Sequence, residues 1–167
     1  MYTTRMTTLL KHPLTLWGHA PRNNNWNDNS STLINKVNTA EALIALNQII
    51  ASRTVLANKC MMFFMVDNIE PLYEHPQNTS GGAFSYRVNN AYVSETWNTA
   101  AKALATGTLA SNEEAASHVT GITLSPKGAF CVIKIWMSSC QFTDPSYMAP
   151  DIPCLLSSEG RFSPHYK

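Results

Sequence analysis

Asn68-Ile69-Glu70-Pro71-Leu72-Tyr73-Glu74-His75-Pro76-Gln77-Asn78-Thr79-Ser80-Gly81-Gly82-Ala83-Phe84 is the stretch on which the reading of the chain turns. It follows an apolar run, Met61-Met62-Phe63-Phe64-Met65-Val66, that predicts a buried strand. Pro71 and Pro76 forbid a helix across it, and Gly81-Gly82 closes it before an alternating strand over residues 84–88. The expected structure is a loop held by sheet at both ends, carrying an aromatic face, Tyr73, beside a carboxylate, Glu74. That pair suits a flat, electron-poor ligand: a cationic ring gains on the aromatic, and its N–H edge gains on the carboxylate. A tyrosine lidding the core beside a solvated glutamate fits the same residues, and the stretch alone leaves both open.

Outward from there, 167 residues predict one domain with a real core, and 44% hydrophobic content argues against wholesale disorder. A net charge of +1 gives no bulk field toward duplex nucleic acid or an anionic membrane, so phosphate contacts would be made by a few placed cations. No run reaches transmembrane length and the first residues lack a secretory apolar core. Cys60, Cys131, Cys140 and Cys154 form no CxxC pair and have no histidine at metal-ligand spacing, so free thiols, no metal and a cytoplasmic location are expected.

Residues 1–11 read as a flexible arm, and residues 11–17, with Pro13, as an edge strand. Residues 20–31 form a polar, asparagine-rich loop with Trp26 in its middle, a ring that either plugs the core or waits for a ligand. Residues 33–37 predict a short strand. Asn38 and Glu41 then read as a capping box for a helix to about residue 52, with Leu43, Leu46 and Ile50 as its buried stripe. Residues 53–59 connect to the Met61 strand. A second helix is expected over residues 94–106, with Gly107 beyond its end and Trp97 in the core. Residues 119–124 and 129–137 predict a hairpin. In its second strand Cys131, Ile133 and Ile135 face the helices, while Val132, Lys134 and Trp136 face the open side. Strands on both sides of each helix give an α+β fold, an antiparallel sheet backed by helices.

In this order the landmarks resemble the eukaryotic mRNA cap-binding initiation factor 4E family over residues 12 to about 140. They are His12-Pro13-Leu14, Trp26, residues 33–41, Ile69-Glu70-Pro71-Leu72-Tyr73-Glu74 with Gly81-Gly82, Trp97, and Lys134-Ile135-Trp136. The resemblance implies a curved antiparallel sheet whose concave face binds the 7-methylguanosine cap, with helices on the convex back. It implies Trp26 and Tyr73 as the two rings that sandwich the base, Glu74 as reader of the guanine edge, and Trp136 as the N7-methyl contact. N7-methylation makes guanine cationic, so stacking acquires a cation–π component. Lys127 aligns with one basic position of the phosphate clamp. Ala83 and Val132 stand where two others belong; Arg87, four residues along from Ala83, and Lys134, two along from Val132, lie on the same strand faces and are either replacements or ordinary surface charge.

This chain also departs from the family pattern. Tyr73 stands where most members have tryptophan, a smaller face from which weaker stacking is expected. The partner-helix surface keeps His12-Pro13-Leu14, but Ile44 replaces a tryptophan, and Asn98 and Lys102 replace leucines, which puts the usual scaffold partnership in doubt. Residues 141–167 are too short and too rich in proline for the family's third long helix. This is a reduced version of the fold, of viral origin or from a fast-diverging lineage. Capped mRNA is the expected partner, with an initiation scaffold through a non-standard back face, no cofactor, no membrane and a monomeric state. Three functions stay open: recruitment of capped RNA to translation, a cap-binding decoy or repressor, and an interaction domain that no longer binds the cap. No nucleophile, metal or phosphate-loop motif points to an enzyme.

Overall fold

A computed structural model describes residues 6–20, 23–27, 30–52, 60–148 and 151–166. Seven strands form one curved antiparallel sheet: β1 (Leu9–His19), β2 (Ser31–Thr39), β3 (Met61–Val66), β4 (Gly82–Asn89), β5 (Val119–Pro126), β6 (Phe130–Met137) and β7 (Arg161–Pro164). Their spatial order is β2-β1-β3-β5-β6-β4-β7. Helices α1 (Ala40–Ser52), α2 (Val93–Thr106) and the short α3 (Glu113–Ser117) complete the described elements, with a 3-10 turn at Pro145–Tyr147.

The main core lies between the sheet and the helices. Leu14, Leu16, Phe64, Phe84, Ile122, Ile133 and Ile135 meet Leu43 of α1 and Trp97, Ala101 and Leu104 of α2. The Trp97 indole stacks on Phe64, ring centroids 5.4 Å apart. Gly107 ends α2 in the left-handed conformation, φ 71°, which returns its N–H to the last turn. After Met137 the described residues contain only the 3-10 turn and β7, in keeping with the expected loss of a long third helix.

Three expectations are corrected. The first strand is not an edge: β1 lies between β2 and β3, and β2 is the edge. Pro13 is tolerated because β1–β2 pairing is interrupted between Leu9 and Leu14, so its missing N–H breaks no ladder bond there. The cap of α1 is Thr39, whose hydroxyl accepts from Ala42 N–H at 3.3 Å, one residue later than Asn38. Glu41 leaves the capping box and instead accepts from Thr8 N–H at 3.1 and 3.2 Å; its own backbone N–H, then that of Thr8, lowers its pKa. The third is β7, an unanticipated strand on the free edge of β4, fastened by Phe162 against Phe84 at 5.0 Å. The connection over residues 53–59 lies outside the described residues.

Candidate nucleic-acid interface

Alternation along the strands leaves the second sheet face to a separate set of side chains. Cross-strand pairing aligns Trp17, Phe63, Thr123, Lys134, Ser85 and Arg161 in one row across six strands. The neighbouring row contains Met65, Gly121, Trp136, Ala83 and Ser163. Phe63, Met65, Ala83 and Trp136 are buried together as a small apolar floor on this concave side. A cleft of about 480 Å³ opens above it, and Trp26, Tyr73, Glu74, Lys127, Val132, Lys134 and Trp136 all line it.

The floor tryptophan is fixed. Trp136 is 3% exposed, and its indole N–H donates to the Thr123 hydroxyl at 2.7 Å, so its rim alone is left for a ligand. Phe63 meets it edge-on, with centroids 6.1 Å apart.

Tyr73 and Glu74 stand on the loop between β3 and β4, and an asparagine that nothing in the sequence marks holds that loop. Asn78 is fully buried. Its amide donates to the carbonyls of Glu70 at 3.2 Å and Leu72 at 2.9 Å, and its own oxygen accepts from the Thr120 hydroxyl at 2.8 Å. The two carbonyls it ties down flank the turn into Tyr73. Asn78→Asp puts acceptors against acceptors, and each orphaned buried group costs about 1–3 kcal/mol. A loss of roughly 2–6 kcal/mol on that basis should appear as a lower urea midpoint. An unchanged midpoint contradicts this role.

Tyr73 is 39% exposed, with its ring 5.3 Å from Trp136. Burial, then the charge of Glu74, raises its phenol pKa. His165, just past β7, stacks on Tyr73 at 4.4 Å and 22° and lies 4.9 Å from Trp136, its backbone N–H donating to Gly81 at 3.0 Å. Trp26 is 55% exposed and stacks nearly parallel on His19, 3.9 Å away, while His19 Nε2 is fixed by the Asn23 carbonyl at 2.9 Å. Trp26 and Tyr73 are thus each stacked on a histidine, one from β1 and one from just past β7. Neither histidine carries a local motif, and only the fold reveals their roles.

The cationic end contains Lys127, exposed in the β5–β6 turn, and Lys134, half-buried on β6. Burial, then the nearby Lys127 charge, lowers the pKa of Lys134, a strain that an anion between them would relieve. Arg87 does not join this cleft. It lies on the same sheet face, opposite Val132, but its guanidinium sits 3.8 Å above the Phe130 ring, which draws it to an adjoining hollow. At the acidic end the Tyr166 phenol lies near the Glu74 carboxylate; desolvation, then the charge of Glu74, raises the phenol's pKa.

Burial, then the Lys134 charge, depresses His165 from 6.5 to about 4. Between those values the unfolded chain binds the proton and the folded chain does not, so stability falls as pH drops from about 6.5 to about 4. Above that window His165 contributes no slope. In urea titrations across it, His165→Gln should lose stability less steeply than the wild type on acidification. Parallel curves would show that His165 is not held neutral.

On the back, His12 is half-buried, Pro13 is exposed, Ile44 is 46% exposed and Leu14 only 1%. The Leu14 side chain belongs to the core, so it presents no surface to a partner. The Asn47 amide donates to Asn98 at 3.0 Å, a polar bridge between α1 and α2.

Fold and cleft together define a class: one curved antiparallel sheet, helices behind it, and a hollow in front with two aromatic faces, an acid and a pair of lysines. The model of the eukaryotic initiation factor 4E family matches residues 9–148, and the chain belongs to that family. Eukaryotic translation initiation factor 4E-2 of Schizosaccharomyces pombe is 26% identical over 139 residues, 81% of this chain. The match covers 56% of that relative, so the chain spans little more than half its length. C. elegans eIF4E-3, solved with the 4E-binding protein Mextli and a cap analog, superposes with a TM-score of 0.70 at 18% identity, over 81% of this chain and 76% of that one. Ascaris suum eIF4E-3 with m7G cap gives 0.69 at 16% identity, with the same coverage of both chains. At such identities the likeness to these structures shows a shared fold.

Proposed function

We propose that this chain binds the 7-methylguanosine 5′ cap of mRNA and takes part in translation initiation. The observation that carries this reading is the convergence of Trp26, Tyr73, Glu74, Trp136, Lys127 and Lys134 on one cleft of about 480 Å³. Trp26 and Tyr73 stack on the two faces of the cationic base, each stack adding about 1–3 kcal/mol. Glu74 accepts from guanine N1–H and the exocyclic amine, an edge that adenine lacks. The rim of Trp136 meets the N7-methyl group, and Lys127 and Lys134 hold the phosphates. Family membership supports cap binding without chemistry on the cap, in the cytoplasm. The chain is taken to act as a monomer. No described helix is long and apolar enough to cross a membrane.

The test is retention on immobilised 7-methylguanosine diphosphate. Release by the free methylated nucleotide, and not by plain guanosine diphosphate, is expected; release by both alike contradicts the reading.

The Asn47–Asn98 bridge favours a second reading of the downstream role. It stands with Lys102, exposed on α2, where an apolar groove would have to receive a partner helix. Asn47 is already buried, but covering the half-buried Asn98 amide or the exposed Lys102 ammonium costs free energy, so a cap-binding decoy or repressor fits the back face better than a recruiter. Binding of an initiation-scaffold docking peptide with the affinity of an ordinary partner would overturn this second reading alone.

A further inference from the structure

A second hollow, also about 480 Å³, adjoins the first on the concave face, with Arg87, Asn89, Phe130, Ser158, Glu159 and Arg161 on its walls. We infer that it is an RNA subsite, taking the phosphate and ribose of the nucleotides that follow the cap. This inference rests on the cap-binding reading above.

Position comes first. Lys134 of the cap cleft is paired with Ser85, and Ser85 with Arg161, so Arg161 stands two strand spacings, roughly 10 Å, along the same row. Val132, which lines the cap cleft, is paired with Arg87. Lys127 and Lys134 therefore lead into Arg161 and Arg87 without leaving the sheet face, a path for one phosphodiester chain.

The chemistry suits RNA. The Arg87 guanidinium already sits over the Phe130 ring, 3.8 Å from its centroid, which restrains the side chain and reduces the ordering needed to grip a phosphate. Arg161 is carried by β7, whose next residue, Phe162, is anchored on Phe84 on the other sheet face. Asn89 and Ser158 supply polar groups at the rim. Glu159 is the one acid in the hollow. It opposes a second phosphate but accepts from a ribose 2′-hydroxyl, a contact that DNA does not offer.

The test compares 7-methylguanosine diphosphate with a capped five-nucleotide RNA on the wild type, Arg161→Ala and Arg87→Ala/Arg161→Ala. The wild type is expected to bind the capped RNA about tenfold tighter at low salt. The double variant should lose that gain, keep its affinity for the dinucleotide-free cap analogue, and flatten the log–log salt slope by about 0.7–1.4. Arg161→Ala leaves the Arg87–Phe130 stack in place, and a partial loss in it supports the site independently of folding. A double variant that keeps the full gain, or loses both ligands equally, overturns the inference. Should the wild type ignore the cap analogue yet hold uncapped RNA through these two arginines, the subsite stands and the cap reading fails.

Discussion

Trp26→Ala is expected to weaken binding of 7-methylguanosine diphosphate by about tenfold or more while leaving the fold intact. One base stack is worth about 1–3 kcal/mol, the cation–π part adds about 0.5–2, and 1.4 kcal/mol is a factor of ten. More than half of Trp26 is in solvent, and among the described residues its one aromatic neighbour is His19, so truncation opens no core cavity. Stability should therefore stay within about 0.5 kcal/mol of the wild type. Tyr73→Ala should weaken binding comparably but also loosen the packing of Trp136 and His165. Trp26→Phe should recover part of the affinity. Titration with the fluorescence of the remaining tryptophans reads all three. A Trp26→Ala variant that binds as the wild type does would remove the indole from the site.

Glu74→Gln is expected to cost about a hundredfold in affinity for the methylated guanine nucleotide and to erase the preference for guanine over adenine. Two charge-assisted hydrogen bonds are lost, each worth about 1.5–3 kcal/mol, and the new amide N–H₂ faces the donors of the guanine edge. The neighbouring Tyr166 phenol supplies a control. Tyr166→Phe removes that hydroxyl and leaves the carboxylate unaltered, so binding should hold. If Glu74→Gln lowers affinity for guanine and adenine nucleotides by the same factor, Glu74 acts through general charge and does not read the base.

The parts of the fold legible in the sequence were those specified by strong local chemistry. The apolar run Met61–Val66, the two prolines with the paired glycines, and the alternation along β6 placed the strands around the cleft and the face each side chain takes. Elements resting on remote contacts were not legible. β7 is four residues ending in proline, and it is a strand because β4 offers it a free edge. Pro13 suggested an edge because proline usually sits there, but a pairing irregularity accommodated it inside the sheet. Within the site, strand face places Arg87 and Lys134 on the same side of the sheet; Lys134 lines the cleft, whereas Arg87 is held over Phe130, a contact that strand alternation does not specify. Asn78, His19 and His165 act on partners brought close by folding, such as Thr120 on β5, so no local spacing announces them.

Calorimetric titration of the wild-type chain with 7-methylguanosine diphosphate and, separately, with guanosine diphosphate addresses the positive charge on the clasped base most directly. The two ligands share edge and phosphates and differ by one methyl group and the charge it confers. Preference for the methylated nucleotide by at least about tenfold is expected, from 1.4 kcal/mol or more of cation–π and methyl contact. Equal affinities, or no binding of either, would contradict it.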